Sequence, residues 1–549
     1  LGGDLRAPGA KLARIGDSAE TVLVLDGAEI GGDVLLDEGF DAFGGVSLAD
    51  ARIGGRVCCD GGAILNRTDD AKGVAVNARG AQIGASLRLK MRAEGEVNFA
   101  GVRVTGDVDL NQVQIRNEFG QALVLANAEI AGQVIGAAKI AGQVSLINAR
   151  IGRNLDLRGA EIAHPLTPRG EPYGVAVEAA SVSVGGAALL QGANIKGEVF
   201  LADARIAGYL AFGGGRFIHG GGWAVRAPNV RVGGNLTLKI DEGGYAPHGQ
   251  KTVIEGGAKF DRAQIDGAFT WLNLELRGPG PDGAKGALMS FADACIRGPL
   301  QARALTAQQD SRVDLSGASC AALDDDIKTG WGVDRAELDL DGFAFGRVES
   351  ADEKWRARLT WLRRAPRFSP QPYAMLAQVY ARSGRRDDAR RVLLAQHDAR
   401  TRHASSGPLT WVLSSLFGIT AGYGFAPIRA LRTLVLFIAI GIAGVLAMNE
   451  QGALVTPSGA QCNGAIEPAL YAIDVALPVV DLGQESRCAP GRTARAELSA
   501  GMETPNSDWR LFEGAALWKW AQAAYAVLGA ILTALAVITF SGVMKARDD

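Results

Sequence analysis

Apolar and other residues alternate along short stretches of roughly the first 320 residues, and each stretch opens with the same phrase. It reads AEIGGDVLL from Ala28, ARIGGRVCC from Ala51 and AQIGASLRL from Ala81. Later copies are AKIAGQVSL from Ala138, ARIGRNLDL from Ala149, ANIKGEVFL from Ala193 and ARIAGYLAF from Ala204. A period of two marks strands. In ARIGRNLDL, Ala149, Ile151, Leu155 and Leu157 point one way and Arg150, Asn154 and Asp156 the other, while Arg153 leaves the pattern beside Gly152 and marks a corner. Such short strands without helical spacers exclude a βαβ sheet. They predict a parallel β-solenoid, right-handed, over residues 1–345, with Ile, Leu, Val and Ala stacked inside. With two phrases per coil of about 21 residues and coils about 4.8 Å apart, the rod is expected to be on the order of 70 Å long. Glycines are expected at corners that need φ > 0. The phrase lapses at Gly214–Gly222 and Pro279–Gly286, where loops are expected to leave the coil.

The pattern then changes. Between 346 and 405 glycine becomes scarce and Arg, Ala and Leu take over, which predicts helices. FSPQPYAMLAQVYARSGRRDDARRVLLAQHDAR (368–400) reads as a helix pair, with Pro370 and Pro372 before the first helix and Gly384 at its end. Its apolar stripe is Tyr373, Leu376, Ala377 and Tyr380. Residues 406–428 are apolar but interrupted by GYG and Pro427, a pattern that suits a helix lying along a membrane surface. Two uninterrupted apolar runs follow. They predict spans at about 431–448 and 521–544, with Trp518 and Trp520 as an interfacial belt. Arg429 and Arg432 precede the first run, and Lys545 and Arg547 follow the second. The intervening loop, 449–516, carries nine acidic and four basic residues. The positive-inside rule therefore puts the rod, the helices after it and the C-terminus in the cytoplasm, and the loop outside.

Composition narrows the chemistry. Of 549 residues 73 are glycine, mostly inside the repeat phrase. A net charge of −2 gives no basic face for nucleic acid. Six cysteines in this length do not make a disulfide scaffold. Cys58-Cys59, Cys295 and Cys320 read as small core residues, and no His, Cys or carboxylate cluster has metal-ligand spacing. Asp324, Asp325 and Asp326 read as a solvated turn. No cofactor, metal or catalytic residue is expected, and enzymatic function is the least supported class. The chain opens on Leu1 rather than Met, so its natural start is expected further upstream.

The loop holds the remaining candidates. It contains CNGAIEPALYAIDVALPVVDLGQESRC. Ala469–Leu477 predicts a short apolar helix, with Asn463 as a cap, Glu467 and Pro468 in its first turn and Pro478 stopping it. Val479, Val480, Asp481, Leu482 and Gly483 then run extended toward Glu485. Cys462 and Cys488 flank the segment, and on an oxidising side of the membrane they are candidates for a disulfide.

Several segments resemble known families. The repeat phrase resembles pentapeptide-repeat and bactofilin-like solenoids. LAQVYARSGRRDDARRVL resembles one tetratricopeptide-type hairpin. The last 120 residues or so resemble two-span pore-loop cation channels, with VVDLG standing where a potassium channel of that class carries TVGYG. This implies a pore lined by Val479, Val480, Asp481, Leu482, Gly483 and Glu485. Asp481 stands at the first filter glycine and Leu482 at the aromatic, so a ring of carboxylates rather than of carbonyls would select the cation. A pore built from two spans per chain implies a homo-oligomer, most simply a tetramer. The whole order resembles bacterial inner-membrane proteins that append a pentapeptide-like rod to a channel-type domain, some of them labelled membrane-associated oxidoreductases. Two functions are expected from this: a cation channel with a solenoid sensor, or a non-conducting scaffold in the bilayer that presents the solenoid face to a protein partner.

Overall fold

The computed structural model describes residues 1–13, 21–66, 73–164, 174–240, 251–308, 310–332, 336–349, 354–403, 420, 427–458, 460–462, 464, 466–477, 479–491 and 515–541. They divide into two compact units, Leu1–Val392 and Leu393–Asp549.

The first unit is a parallel β-solenoid. One turn of it runs through Ile130, Val134, Ile140 and Val144 and closes on Ile151, so a coil has four sides and each phrase supplies two of them. Residues at the same place in every second phrase stack in register. One such ladder is Ile30, Ile53, Ile83, Val104, Ile130, Ile151, Val184, Ile206, Val232, Ile265, Ile296, Cys320 and Phe345. All thirteen are buried. The ladder beside it runs from Leu5 to Val348 in thirteen steps; at about 4.8 Å each these give roughly 62 Å, shorter than the length expected from sequence. The difference lies in the coils. Ile130 to Ile151 takes 21 residues but Ile151 to Val184 takes 33, and inserted residues widen a coil without raising the stack.

The corners meet the expectation in part. Positive φ falls on the residue just before the alanine or valine that opens a phrase: glycine at Gly27, Gly80, Gly101, Gly159, Gly192 and Gly317, and Asn or Asp at Asp50, Asn127, Asn148, Asp203, Asn229 and Asp293, at 54° to 69°. Asn and Asp visit this region at least cost among residues with a side chain. The glycine inside the phrase is kept for space instead. A Cβ on Gly84 would lie 2.3 Å from the carbonyl oxygen of Gly54 on the next coil. Gly214–Gly222 also departs from the expectation, because Arg216–Arg226 is one strand. It pairs with Thr252–Lys259 on both sides of an irregularity at Ile218/Trp223. Pro279–Gly286 does leave the sheet, through a short 3-10 turn at Pro281–Gly283.

Toward its C-terminal end the solenoid interior turns from aliphatic to aromatic. Phe260, Phe269, Phe291 and Trp271 stack there with centroids 4.6–6.4 Å apart. Trp271 meets Trp331 edge-on at 5.4 Å, and Trp331 meets Trp361 at 5.5 Å. Trp361 belongs to α1 (Trp355–Leu362), which falls in the stretch expected to be helical but precedes the expected pair, and it closes this end. Open solenoid ends expose apolar ladders and unpaired strand edges, so a cap is required. The acidic run takes part in that cap and is not a solvated turn. Asp325 is buried and forms a two-pronged ion pair with Arg358 of α1, at 2.5 and 2.7 Å, both side chains being fully inaccessible. The Trp331 indole N–H donates to the same carboxylate at 2.5 Å. Asp324 instead pairs with Arg303, and Asp326 accepts from Thr329. The expected pair follows as α2 (Gln371–Arg382) and α3 (Arg386–His403). The apolar stripe of α2 is buried, and the Gln371 side chain accepts the Gly342 N–H at 3.0 Å.

The second unit holds α4 (Pro427–Glu450), the short α5 (Pro468–Ala476) and α6 (Ala515–Ser541). Ile428–Glu450 and Leu517–Phe540, 23 and 24 residues, are long and apolar enough to cross a membrane. Much of their apolar surface faces outward, including Val435, Leu436, Ile440, Val527, Leu528 and Ile531. The expected surface helix, the cap residue Asn463, Pro478 and the basic Lys545 and Arg547 lie outside the described residues, apart from 420, 427 and 428.

Candidate functional site

The site is built on α5. Pro468 at its start fits the first helical turn, where no N–H partner is needed. Its apolar residues are sandwiched: Tyr471, Ala472 and Val475 join Val445 and Met448 of α4 in one buried cluster with Cys462 and Cys488. The opposite contacts are with α6, and they descend in step. Tyr525 hydroxyl donates to the Ala472 carbonyl at 3.3 Å. Gly529 sits so close to Ala476 that a Cβ there would be 2.5 Å from its carbonyl oxygen. Gly529 is near the midpoint of α6, so the C-terminal end of α5 reaches the middle of the second apolar helix. Phe437 stacks on Tyr525 at 4.5 Å and joins α4 to α6 directly.

Beyond α5 the chain turns back. Cys462 and Cys488 form a disulfide with Cα atoms 6.3 Å apart, which ties off the segment. Leu454–Val455 pairs antiparallel with Ala489–Pro490 beside it. Between the helix and Cys488, one carboxylate organises the loop. Asp474, on α5, accepts the backbone N–H groups of Leu482 at 2.7 Å, Gln484 at 2.7 Å and Glu485 at 3.0 Å. Burial pushes the Asp474 carboxyl up, but these three donors outweigh it and hold the group below its ordinary value. The carboxylate stays ionised, and the loop wraps around it.

That anchor fixes how the sequence-predicted residues stand. Val479 is 85 % exposed, and Val480, Asp481 and Leu482 are also exposed. Asp481 accepts the Gly483 N–H at 2.9 Å, a local turn that leaves most of its carboxylate open. Glu485 accepts from the Gln522 side chain of α6 at 3.1 Å. The structure therefore gathers the six candidates on one tied loop. It divides them by role, with Glu485 bound to α6 and Asp481 free to meet solvent or an ion. Asp474, Gln522 and Gly529 were not singled out from sequence. An aspartate inside a short apolar helix was the available signal for Asp474, whereas the other two act through contacts that no local pattern encodes.

The solenoid shows no such convergence. Cys58, Cys59 and Cys320 are buried, and burial pushes their thiols up, to about 11, about 12 and about 12. Thiols held protonated are poor nucleophiles and poor metal ligands. Among the described residues no group of three or more His, Cys, Asp or Glu is placed to hold a metal ion. Cys295 is the exposed free cysteine. In the native protein Cys295 is expected to react with a maleimide within minutes while Cys58, Cys59 and Cys320 stay protected, as read by mass spectrometry of the peptides. Modification of Cys59 at the rate of Cys295 would refute the packed ladder.

No protein-family model, curated protein or solved structure matches this chain.

Proposed function

We propose that this chain is an integral membrane protein whose two-span unit lines a cation pathway as a homotetramer, with the β-solenoid on the cytoplasmic side as its sensor domain. The observation that carries this reading is the placement of α5. A short apolar helix lodged against both long helices, ending at the middle of one of them, needs a reason to enter that depth. A re-entrant helix supplies one: it delivers the loop after it to a pore axis. Non-helical backbone is tolerated at membrane depth only where protein or water covers it. The tied loop, held by Asp474 and the disulfide, meets that condition in an assembly.

The charge pattern supports the same reading. Asp481 offers an open carboxylate on the loop. Repeated around a four-fold axis, four such groups attract cations and repel anions without the stacked carbonyls of a potassium filter. Exposed Val479 and Val480 would be covered by the neighbouring copies. The apolar spans, the basic Arg429 and Arg432 in the first turns of α4 and the oxidised loop support an inner membrane with the loop on the outside. The solenoid, by contrast, gives an extended outward face rather than a cleft, which suits a sensor or a protein-binding role.

The first test is the mass of the intact complex in mild detergent, followed by cation flux in proteoliposomes. A tetramer that conducts, and that loses flux on Asp481→Asn, supports the channel. A monomer or dimer encloses no central pore. That result would leave the chain as a membrane-anchored scaffold, with binding on the solenoid face as its function.

A further inference from the structure

A cavity of about 160 Å³ opens between α4, α5 and α6. Its wall includes Gly444, Val445 and Met448 from α4, Tyr471 and Val475 from α5, and Trp518 from α6. The lining is almost wholly apolar, and cavities of this size and character hold small hydrocarbon groups rather than water. One polar feature stands out. Tyr471 is 1 % exposed, and its hydroxyl lies beside the Gln522 side chain without a well-formed hydrogen bond to satisfy it. The neighbouring Gln522 directs its amide N–H to Glu485. A buried hydroxyl left unbonded costs free energy, so an occupant that accepts from it is favoured.

The depth of the cavity identifies that occupant. Trp518 lies in the first turn of the apolar stretch of α6 and donates to the Gln451 side chain at the end of α4, at 3.0 Å. A tryptophan in this position marks the membrane interface. The cavity begins at Trp518 and extends down to Tyr525, and so spans the first turns below the interface. In a bilayer that is where lipid ester carbonyls give way to acyl chains.

Resting on the membrane reading above, we propose that this cavity is a phospholipid site: the proximal part of one acyl chain enters between α4 and α5, and its ester carbonyl accepts the Tyr471 hydroxyl. Tyr471 lies one turn before Asp474 on the same helix, so the lipid braces α5 one turn from its loop anchor. The acyl chain is the specificity element, and the headgroup remains outside the cavity.

Gly444 provides the test. A Cβ added there meets nothing within 4 Å, so a side chain can enter the cavity without displacing backbone. The full-length protein is reconstituted in nanodiscs containing a phosphatidylcholine with a diazirine in its acyl chain near the ester, irradiated, and the adducts are mapped by mass spectrometry. Adducts are expected on Val445, Met448 and Tyr471 in the wild type, and at background in Gly444→Leu. Tyr471→Phe preserves the shape and is expected to lower the adduct yield about fivefold, the effect of losing one neutral hydrogen bond. Equal labelling of Gly444→Leu and wild type would overturn the proposal. So would absence of labelling in the wild type, whether the cavity stays empty or a second copy fills it. Carbonate extraction of the same protein from native membranes separates the two failures. If the chain is released, the membrane reading itself falls; if it is retained without adducts, this site alone does.

Discussion

Replacing Arg358 with alanine is expected to destabilise the closing end of the solenoid by about 3–5 kcal/mol, the penalty for stranding one partner of a buried ion pair. The reason is local. Arg358 and Asp325 are fully inaccessible, and Asp325 also receives the Trp331 indole N–H. Removing the guanidinium strips a carboxylate in an aromatic interior of its charged partner, with the neutral Trp331 indole N–H among what remains. In a stacked array each coil relies on its neighbours, so an end that opens frees the coils beneath it. The measurement is urea unfolding of the full chain in detergent, followed by the β-sheet signal in circular dichroism, with the first transition moving to lower urea. The paired change Arg358→Met with Asp325→Leu should regain most of the loss, because an apolar pair of similar volume is often no worse than a buried ion pair. A cost below about 1 kcal/mol for Arg358→Ala would mean that water reaches this site, against the burial described.

Asp474→Asn is expected to release the loop while leaving the helices in place. Asp474 uses one oxygen for Leu482 and the other for Gln484 and Glu485. Asparagine has a single carbonyl oxygen, and its amide nitrogen would face N–H donors. Either orientation of the side chain therefore loses at least one bond, and the charge is lost from all three. Hydrogen bonds to a charged group contribute about 1.5–3 kcal/mol each, so the loop should lose roughly 3 kcal/mol of local stability. Amide exchange at Leu482, Gln484 and Glu485 should then quicken about a hundredfold, since each 1.4 kcal/mol is a factor of ten. Exchange in α4 and α6 should be unchanged. In the channel reading the same variant disorders Asp481 without touching it, so flux should fall even though the candidate carboxylate is intact.

The repeat phrase carried most of the solenoid. Its Ile and Val positions predicted which side chains stack, and Ile30 to Phe345 do so in one ladder. The apolar runs carried the two long helices, although the second begins about four residues earlier than expected. The tail of that run, from 542 on, lies outside the described residues. Local pattern succeeded here because ladders and spans repeat one environment many times, so each residue reports its own burial.

Two sets of residues behaved otherwise. Asp325 sat in an acidic run, where composition favours solvent, yet it is among the most buried charges in the chain. Its partner Arg358 lies 33 residues further on, in a helix whose closing role no local pattern encodes. The corner rule held in part: the positive φ before a phrase falls on glycine in some coils and on Asn or Asp in others, while a phrase glycine such as Gly84 answers to the neighbouring coil. The loop candidates could be read as a group from their spacing. Their division into an open Asp481 and a held Glu485 could not, since it depends on Asp474 and Gln522.

The sequence by itself determined the periodic parts of this protein: the stacked strands and two helices apolar enough for a bilayer. Periodicity is a local property, and hydrophobic burial repeated along a chain writes itself into the residues that undergo it. Only the tertiary structure decided how the end of the solenoid is closed, where α5 lodges and which carboxylates are bound or free. Those outcomes rest on single contacts between distant residues, and one hydrogen bond or ion pair leaves no period in the sequence.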